Sequence, residues 1–143
     1  MKNMPLSLRA IAVVSLACVC AMPRARAHDA PGEETVKPVM QQDIAEVPGK
    51  HVAMATVSYA PGQAATPHKH PGSIFAYVVK GSVESQLEGT PARTYRTGEA
   101  WYEPPGAHHV VSRNASKTQP AKLLVWAIVG ANESIKQALP ASP

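Results

Sequence analysis

From Lys50 onward, apolar and polar positions follow the rhythm of β-strands rather than of helices. Side chains along a strand point alternately to opposite faces, so a half-buried strand reads as a period of two. His51–Ala60, rich in Val, Thr and Tyr, predicts a strong strand, and Pro61-Gly62 turns it. A short strand carrying His68 follows, and Pro71-Gly72 turns again. Ile74–Lys80 is a largely apolar run of strand length that ends at Gly81. Ser82–Leu87 alternates, with Val83, Ser85 and Leu87 against Glu84 and Gln86. Beyond the turn at Glu88-Gly89-Thr90-Pro91, Thr94–Arg96 and Ala100–Glu103 predict two short strands. His108–Ser112 and Leu123–Val129 close the series, joined by a polar loop. Short strands at regular spacing, punctuated by Gly and Pro, predict an all-β sandwich or barrel over residues 50–131.

The two ends read differently. Residues 28–49 are rich in Pro, Gly and charge without a sustained period, which predicts a flexible arm ending in a short edge strand near Val39–Ile44. In residues 132–143, Asn132 is placed to cap a short helix that runs to Leu139 and stops at Pro140. Residues 1–27 carry Lys2 and Arg9, then the apolar run Ala10–Met22, then Ala25-Arg26-Ala27 before His28. A positive start, a short apolar stretch and a small-x-small site are the marks of a cleaved signal peptide. They predict export to a periplasmic or secreted location with no stable membrane anchor after cleavage.

That leader changes the charge balance. It holds four of the fourteen basic residues and none of the ten acidic ones, so the remaining 116 residues are ten against ten. No basic patch remains to argue for nucleic acid. Cys18 and Cys20 also lie in the leader, so the mature chain has no disulfide and depends on its core.

The candidate chemistry is histidine. His68 and His70 are two residues apart, on one face of a strand and about 6.6 Å from each other along it. His109 follows a stiff Pro104-Pro105-Gly106 turn and supplies a third imidazole from a distant part of the chain. Three converging neutral imidazoles suit a divalent transition metal: Fe, Mn, Zn, Ni or Cu. His108 should face the opposite way, and His51 reads as a surface residue.

The spacing carries a resemblance. One block runs Gly62, five residues, His68, one residue, His70, and ends at Gly81; the other runs Gly98, five residues, Pro104, one residue, Gly106, two residues, His109, with Asn114 beyond. Together they resemble the paired motifs of the cupin superfamily, in its small single-domain form. The resemblance implies a double-stranded β-helix, or jelly-roll, barrel with His68, His70 and His109 as metal ligands, and it implies a homodimer. Two positions depart from the motif. Ile74 stands where a ligating Glu is expected, and Asn114 falls one residue late, as a β-bulge would make it.

Glu103 can replace the missing carboxylate if it faces inward, as a fourth ligand or a general base. If it faces outward, Tyr102 lines the cavity instead. Phe75, Tyr77, Trp101 and Trp126 are expected in the core. Arg113, by period two from His109, either faces inward to a carboxylate or lies exposed at a loop edge. Two functions fit. One is a metal-dependent dioxygenase, lyase or isomerase acting on a small oxygenated molecule. The other is a module that binds or senses metal or a small ligand without turnover. An acid or base converging on the histidines would favour the enzyme, and a cavity filled by Phe75 and Ile74 would not.

Overall fold

The computed structural model describes residues 34–139. The expected leader, residues 1–27, lies outside the described residues. Ten strands form two antiparallel five-stranded sheets. They are β1 (Thr35–Asp43), β2 (Lys50–Tyr59), β3 (His68–Lys69), β4 (Ser73–Lys80), β5 (Ser82–Leu87), β6 (Arg93–Arg96), β7 (Ala100–Glu103), β8 (His108–Asn114), β9 (Ala121–Gly130) and β10 (Gln137–Ala138). One sheet has the order β1-β2-β9-β4-β7 and the other β10-β3-β8-β5-β6. This is the all-β double-stranded barrel that the alternation and the motif spacing predict.

The inward parity of β4 is Ile74, Ala76 and Val78, at 2, 1 and 0% exposure. Val78 packs with Tyr59, Val83, Ala121 and Leu123, while Ile74 packs with Ala53, Ala127 and Val129. These two clusters draw on β2, β4, β5 and β9 and hold the sheets together by burial of apolar surface. The opposite parity of β4 is exposed. Phe75 and Tyr77 therefore lie outside the barrel, not in its core, and Phe75 packs on Tyr102 with ring centroids 5.1 Å apart. Met40, Met54, Trp126, Phe75 and Tyr102 stand in register across the five strands of that outer face. His51 also departs from expectation: it shares the inward parity of Ala53 and is buried.

The N-terminal strand starts earlier than the edge strand expected near Val39–Ile44, and a two-residue strand stands where the sequence offered a short helix. β1 pairs with β2 from Thr35 to Asp43, with a bulge between Pro38 and Met40 that absorbs the proline's missing donor. β10 pairs with β3, setting Gln137 against Lys69 and Ala138 against His68. A two-residue strand on an open edge wins here over the weak helix propensity of 132–139, because the edge of β3 offers ladder partners.

Two glycines hold the backbone together near the histidines. A Cβ on Gly72 would come within 1.9 Å of the Ile128 carbonyl oxygen, so only glycine lets β4 approach β9 there. Gly106, at φ 77°, turns the chain after Pro104-Pro105 and donates its N–H to the His70 carbonyl at 2.7 Å. That bond joins the two motif blocks directly.

Candidate metal centre

His68 and His109 are direct cross-strand partners in β3 and β8. Facing side chains in such a pair have Cβ atoms about 4.5–5.5 Å apart. His70 lies two residues beyond His68 and returns to the same face. One nitrogen from each of the three rings lies within 4.8 Å of the others. All three rings are nearly or fully buried, at 5, 9 and 3% exposure for His68, His70 and His109.

The tautomers follow from the neighbours. His68 Nδ1 donates to the Thr66 carbonyl at 2.7 Å, and His70 Nδ1 donates to the Ile135 carbonyl. Carbonyl oxygens accept only, so both Nδ1 atoms carry the proton. In the neutral rings each Nε2 then presents a lone pair, and these two atoms stand 3.1 Å apart. Burial and the neighbouring imidazole and lysine hold His70 down at about pKa 4, so it does not ionise near neutrality to relieve this. With His109 beside them, these two nitrogens converge on one point from a buried face, the arrangement a shared cation would bridge.

Glu103 completes the group. It lies opposite Ile74 in the β4–β7 ladder, and both face inward. Glu103 thus brings a carboxylate to the inner face directly opposite position 74. Glu103 Oε1 accepts from Trp101 Nε1 at 2.9 Å and lies 3.3 Å from His109 Nδ1; Oε2 is 3.7 Å from His70 Nε2 and is buried without a hydrogen-bond partner. Donors about 2.1 Å from one ion and roughly at right or tetrahedral angles are themselves about 3.0–3.4 Å apart. The His68–His70 and His109–Glu103 separations match that, the three histidine nitrogens spread over up to 4.8 Å, and the orphaned Oε2 is an oxygen that an ion would satisfy. The residues present therefore fit a divalent transition metal. Burial lifts Glu103 to about pKa 7 against the lowering effect of the Trp101 bond, and burial with the two other imidazoles pushes His109 down to about 3. His109 Nε2 is tied to Ser85 Oγ at 2.9 Å.

Tyr102 is not in this site. It is 48% exposed on the outer face of β7, where its hydroxyl meets Ser73 Oγ at 3.2 Å. Once Ile74 and Glu103 pair inward, period two forces Tyr102 out. His108 faces outward as expected and pairs with Glu88 at 2.8 Å. Arg113 also faces outward, in a bidentate pair with Glu84. The cause is a bulge in the β5–β8 ladder, where Gln86 pairs with Val111 but Leu87 with His109. The extra residue reverses the parity of β8, so Ser112 and Asn114 turn inward. It also accounts for the late motif asparagine: Asn114 Nδ2 donates to the Ala60 and Gln119 carbonyls.

The histidines and Glu103 line a cavity of about 160 Å³. Its walls are apolar, from Val36, Val57, Leu123 and Val125 among others. Tyr59 lines it too, its hydroxyl 2.8 Å from Ser112 Oγ and its phenol pushed up by burial. Three further lining residues come from the chain ends, and the sequence reading missed them: Glu34, Ile135 and Lys136. Nothing in their spacing or composition marks them.

A model of the cupin domain matches residues 55–127. The chain belongs to the cupin family. A comparison with curated proteins returns no match. Among solved structures, this cupin is similar to a conserved protein with a double-stranded β-helix domain from Klebsiella pneumoniae, at 20% identity and TM-score 0.59, covering 76% of this chain and 87% of that one. That likeness concerns the fold. It is also similar to the DMSP lyase DddQ of Ruegeria pomeroyi, at 25% identity and TM-score 0.53, over 61% of this chain. The match spans 42% of that lyase's length. An oxalate oxidase in complex with the substrate analogue glycolate is 29% identical over 72% of this chain and 57% of its own, with TM-score 0.55.

Proposed function

We propose that this protein is an exported, metal-dependent cupin enzyme acting on a small oxygenated molecule. His68, His70, His109 and Glu103 hold the ion. The observation that carries this reading is the pair of Nε2 atoms 3.1 Å apart, each on a ring whose Nδ1 is committed to a carbonyl. Three neutral nitrogens and one carboxylate suit Fe, Mn, Zn, Ni or Cu and do not choose among them.

A divalent ion there would supply Lewis-acid polarisation of a substrate oxygen, or oxygen activation if it is redox-active. The chain's own residues do the rest. Thr66 and Ile135 lock two imidazoles in orientation, Ser85 holds the third, and Trp101 holds the carboxylate. The walls of the cavity around these groups are largely apolar, which leaves the histidines and Glu103 among its few polar contacts. Glu103 converging on the histidines favours an enzyme over a passive cup, and of the two residues expected to fill such a cup only Ile74 lines the cavity, Phe75 lying outside. The neighbouring lyase and oxidase support the same class, without naming this chain's substrate.

The test uses tag-free protein loaded with each metal in turn and offered small hydroxy acids, keto acids and dicarboxylates. Turnover is followed by nuclear magnetic resonance and oxygen uptake. Turnover that disappears with chelator and in His109→Ala is expected. Turnover that survives both would overturn the reading, and tight binding of ion and ligand without turnover would make the protein a binding module. Export rests on residues 1–27, and an intact mass beginning at His28 is its check.

A further inference from the structure

Glu34 is a carboxylate of the cavity that the metal centre does not use. It immediately precedes β1, and its side chain is only 6% exposed. Oε1 accepts from Lys136 Nζ at 2.9 Å, across 102 positions of sequence. Oε2 is buried and has no hydrogen-bond partner. Both residues line the same cavity as the histidines. Among the described residues, the buried side-chain oxygens and nitrogens without a partner are those of Glu34 and Glu103. Buried acceptors are normally satisfied, so each marks a place where something else belongs. For Glu103 the nearby imidazoles point to an ion. Glu34 has a different neighbourhood, with its charge already met by Lys136.

We propose that Glu34 is the specificity residue of this cavity, its Oε2 accepting a hydrogen bond from a hydroxyl at the far end of the ligand. This rests on the metal reading for the ligand's other end, an oxygen at the histidine cluster. Because Lys136 neutralises the carboxylate, the free oxygen suits a neutral donor better than an ammonium group. Val36, Val57 and Val125 line the same cavity and would take the methylenes between the two ends. The ligand class is thus a short hydroxylated carboxylic acid or a similar two-ended oxygenated molecule. A molecule lacking the distal hydroxyl leaves the buried Oε2 unpaired and is disfavoured for that reason.

The probes are propanoate, butanoate and pentanoate, each beside its ω-hydroxy counterpart. Binding is measured by calorimetry on full-chain protein, with metal content assayed in the same sample. For at least one chain length, the hydroxyl should tighten binding about tenfold or more, as a bond to a charged acceptor does. Glu34→Leu should cut that advantage to about twofold or less, read as the ratio of hydroxy acid to plain acid so that any effect of the freed Lys136 on the shared carboxylate cancels. Glu34→Gln, which keeps the shape and a neutral acceptor, should fall between the two. The proposal is overturned if no chain length shows a hydroxyl advantage, including the case in which none of the six binds. It is equally overturned if the advantage persists undiminished in Glu34→Leu, as it would were Oε2 satisfied by a fixed water. The series is also run on metal-stripped protein. A chain that takes up no metal defeats the functional reading, and the hydroxyl advantage in the stripped form still decides the role of Glu34.

Discussion

The histidine end of the cavity and its rim are built from different kinds of sequence. At the histidine end, His68, His70 and His109 come from two blocks whose spacing is plain in the chain, and Gly106 bonds one block to the other. At the rim, Glu34, Ile135 and Lys136 come from the two chain ends, brought together by strands that sit at sheet edges. Yet the rim reaches into the centre, because the Ile135 carbonyl is what holds His70 Nδ1. The lesson is that a motif can specify ligand positions while their orientation depends on segments that carry no motif at all.

The largest expected effect lies at the histidine end. His68→Ala, His70→Ala and His109→Ala should each lower metal affinity at least a hundredfold, roughly, and abolish the rise in melting temperature on adding metal. His108→Ala should follow the unmodified protein, since that ring faces Glu88 on the outside. Loss of metal in His108→Ala with retention in His109→Ala would show that the register of β8 is misassigned.

Glu103→Gln comes next, with an expected loss of about tenfold or more in affinity. Ile74→Glu added to it should restore much of that loss, because the two positions face each other across β4 and β7. Failure of the second change to rescue the first would mean the carboxylate serves the site through some contact other than the ion. The same pair shows what the chain discloses. The alternation of β4 and the motif spacing locate Ile74, but a four-residue strand, Ala100–Glu103, has no pattern long enough to set its parity. Only pairing with β4 decides that Glu103 goes in and Tyr102 out.

Other open points share that cause. Period two left Arg113 inward or exposed, and only the bulge in β8 puts it outside. The edge strand expected near Val39–Ile44 begins earlier, at Thr35, a start that period two misses because both faces of β1 are exposed and Pro38 interrupts its pattern. The stretch 132–139 has the cap and composition of a weak helix, and only the open edge of β3 makes it a strand. What was legible was what one strand or one motif can state alone. What was hidden needed a partner strand.

The rim offers a smaller, sharper test. Deleting residues 132–143 removes Ile135 and Lys136 while sparing every residue of the two core clusters. The barrel should still melt cooperatively, and metal affinity should fall about tenfold as His70 loses its orienting carbonyl. An unchanged affinity would detach the rim from the centre and break the comparison.

The smallest effect is in the pH dependence of the metal-free protein. His70 near pKa 4 and His109 near 3 refuse protons that the unfolded chain takes up below 6.5, so stability falls as the pH drops below that value. Glu103 near 7 keeps a proton that the unfolded chain releases above 4.5, so stability also falls as the pH rises through 7. Two imidazoles outweigh one carboxyl, and the melting temperature should peak close to pH 6.5. Bound metal should flatten the fall on the alkaline side, because the ion favours ionised Glu103 and neutral imidazoles. Thermal melts of both forms from acid to neutral pH check this.

The most direct test is elemental analysis of the protein, purified without a histidine tag and without added metal or chelator. The account predicts about one transition-metal ion per chain, absent from a His68→Ala/His109→Ala double variant prepared in parallel. A metal-free protein that takes up no ion on titration, or a double variant that retains the same ion, would contradict it.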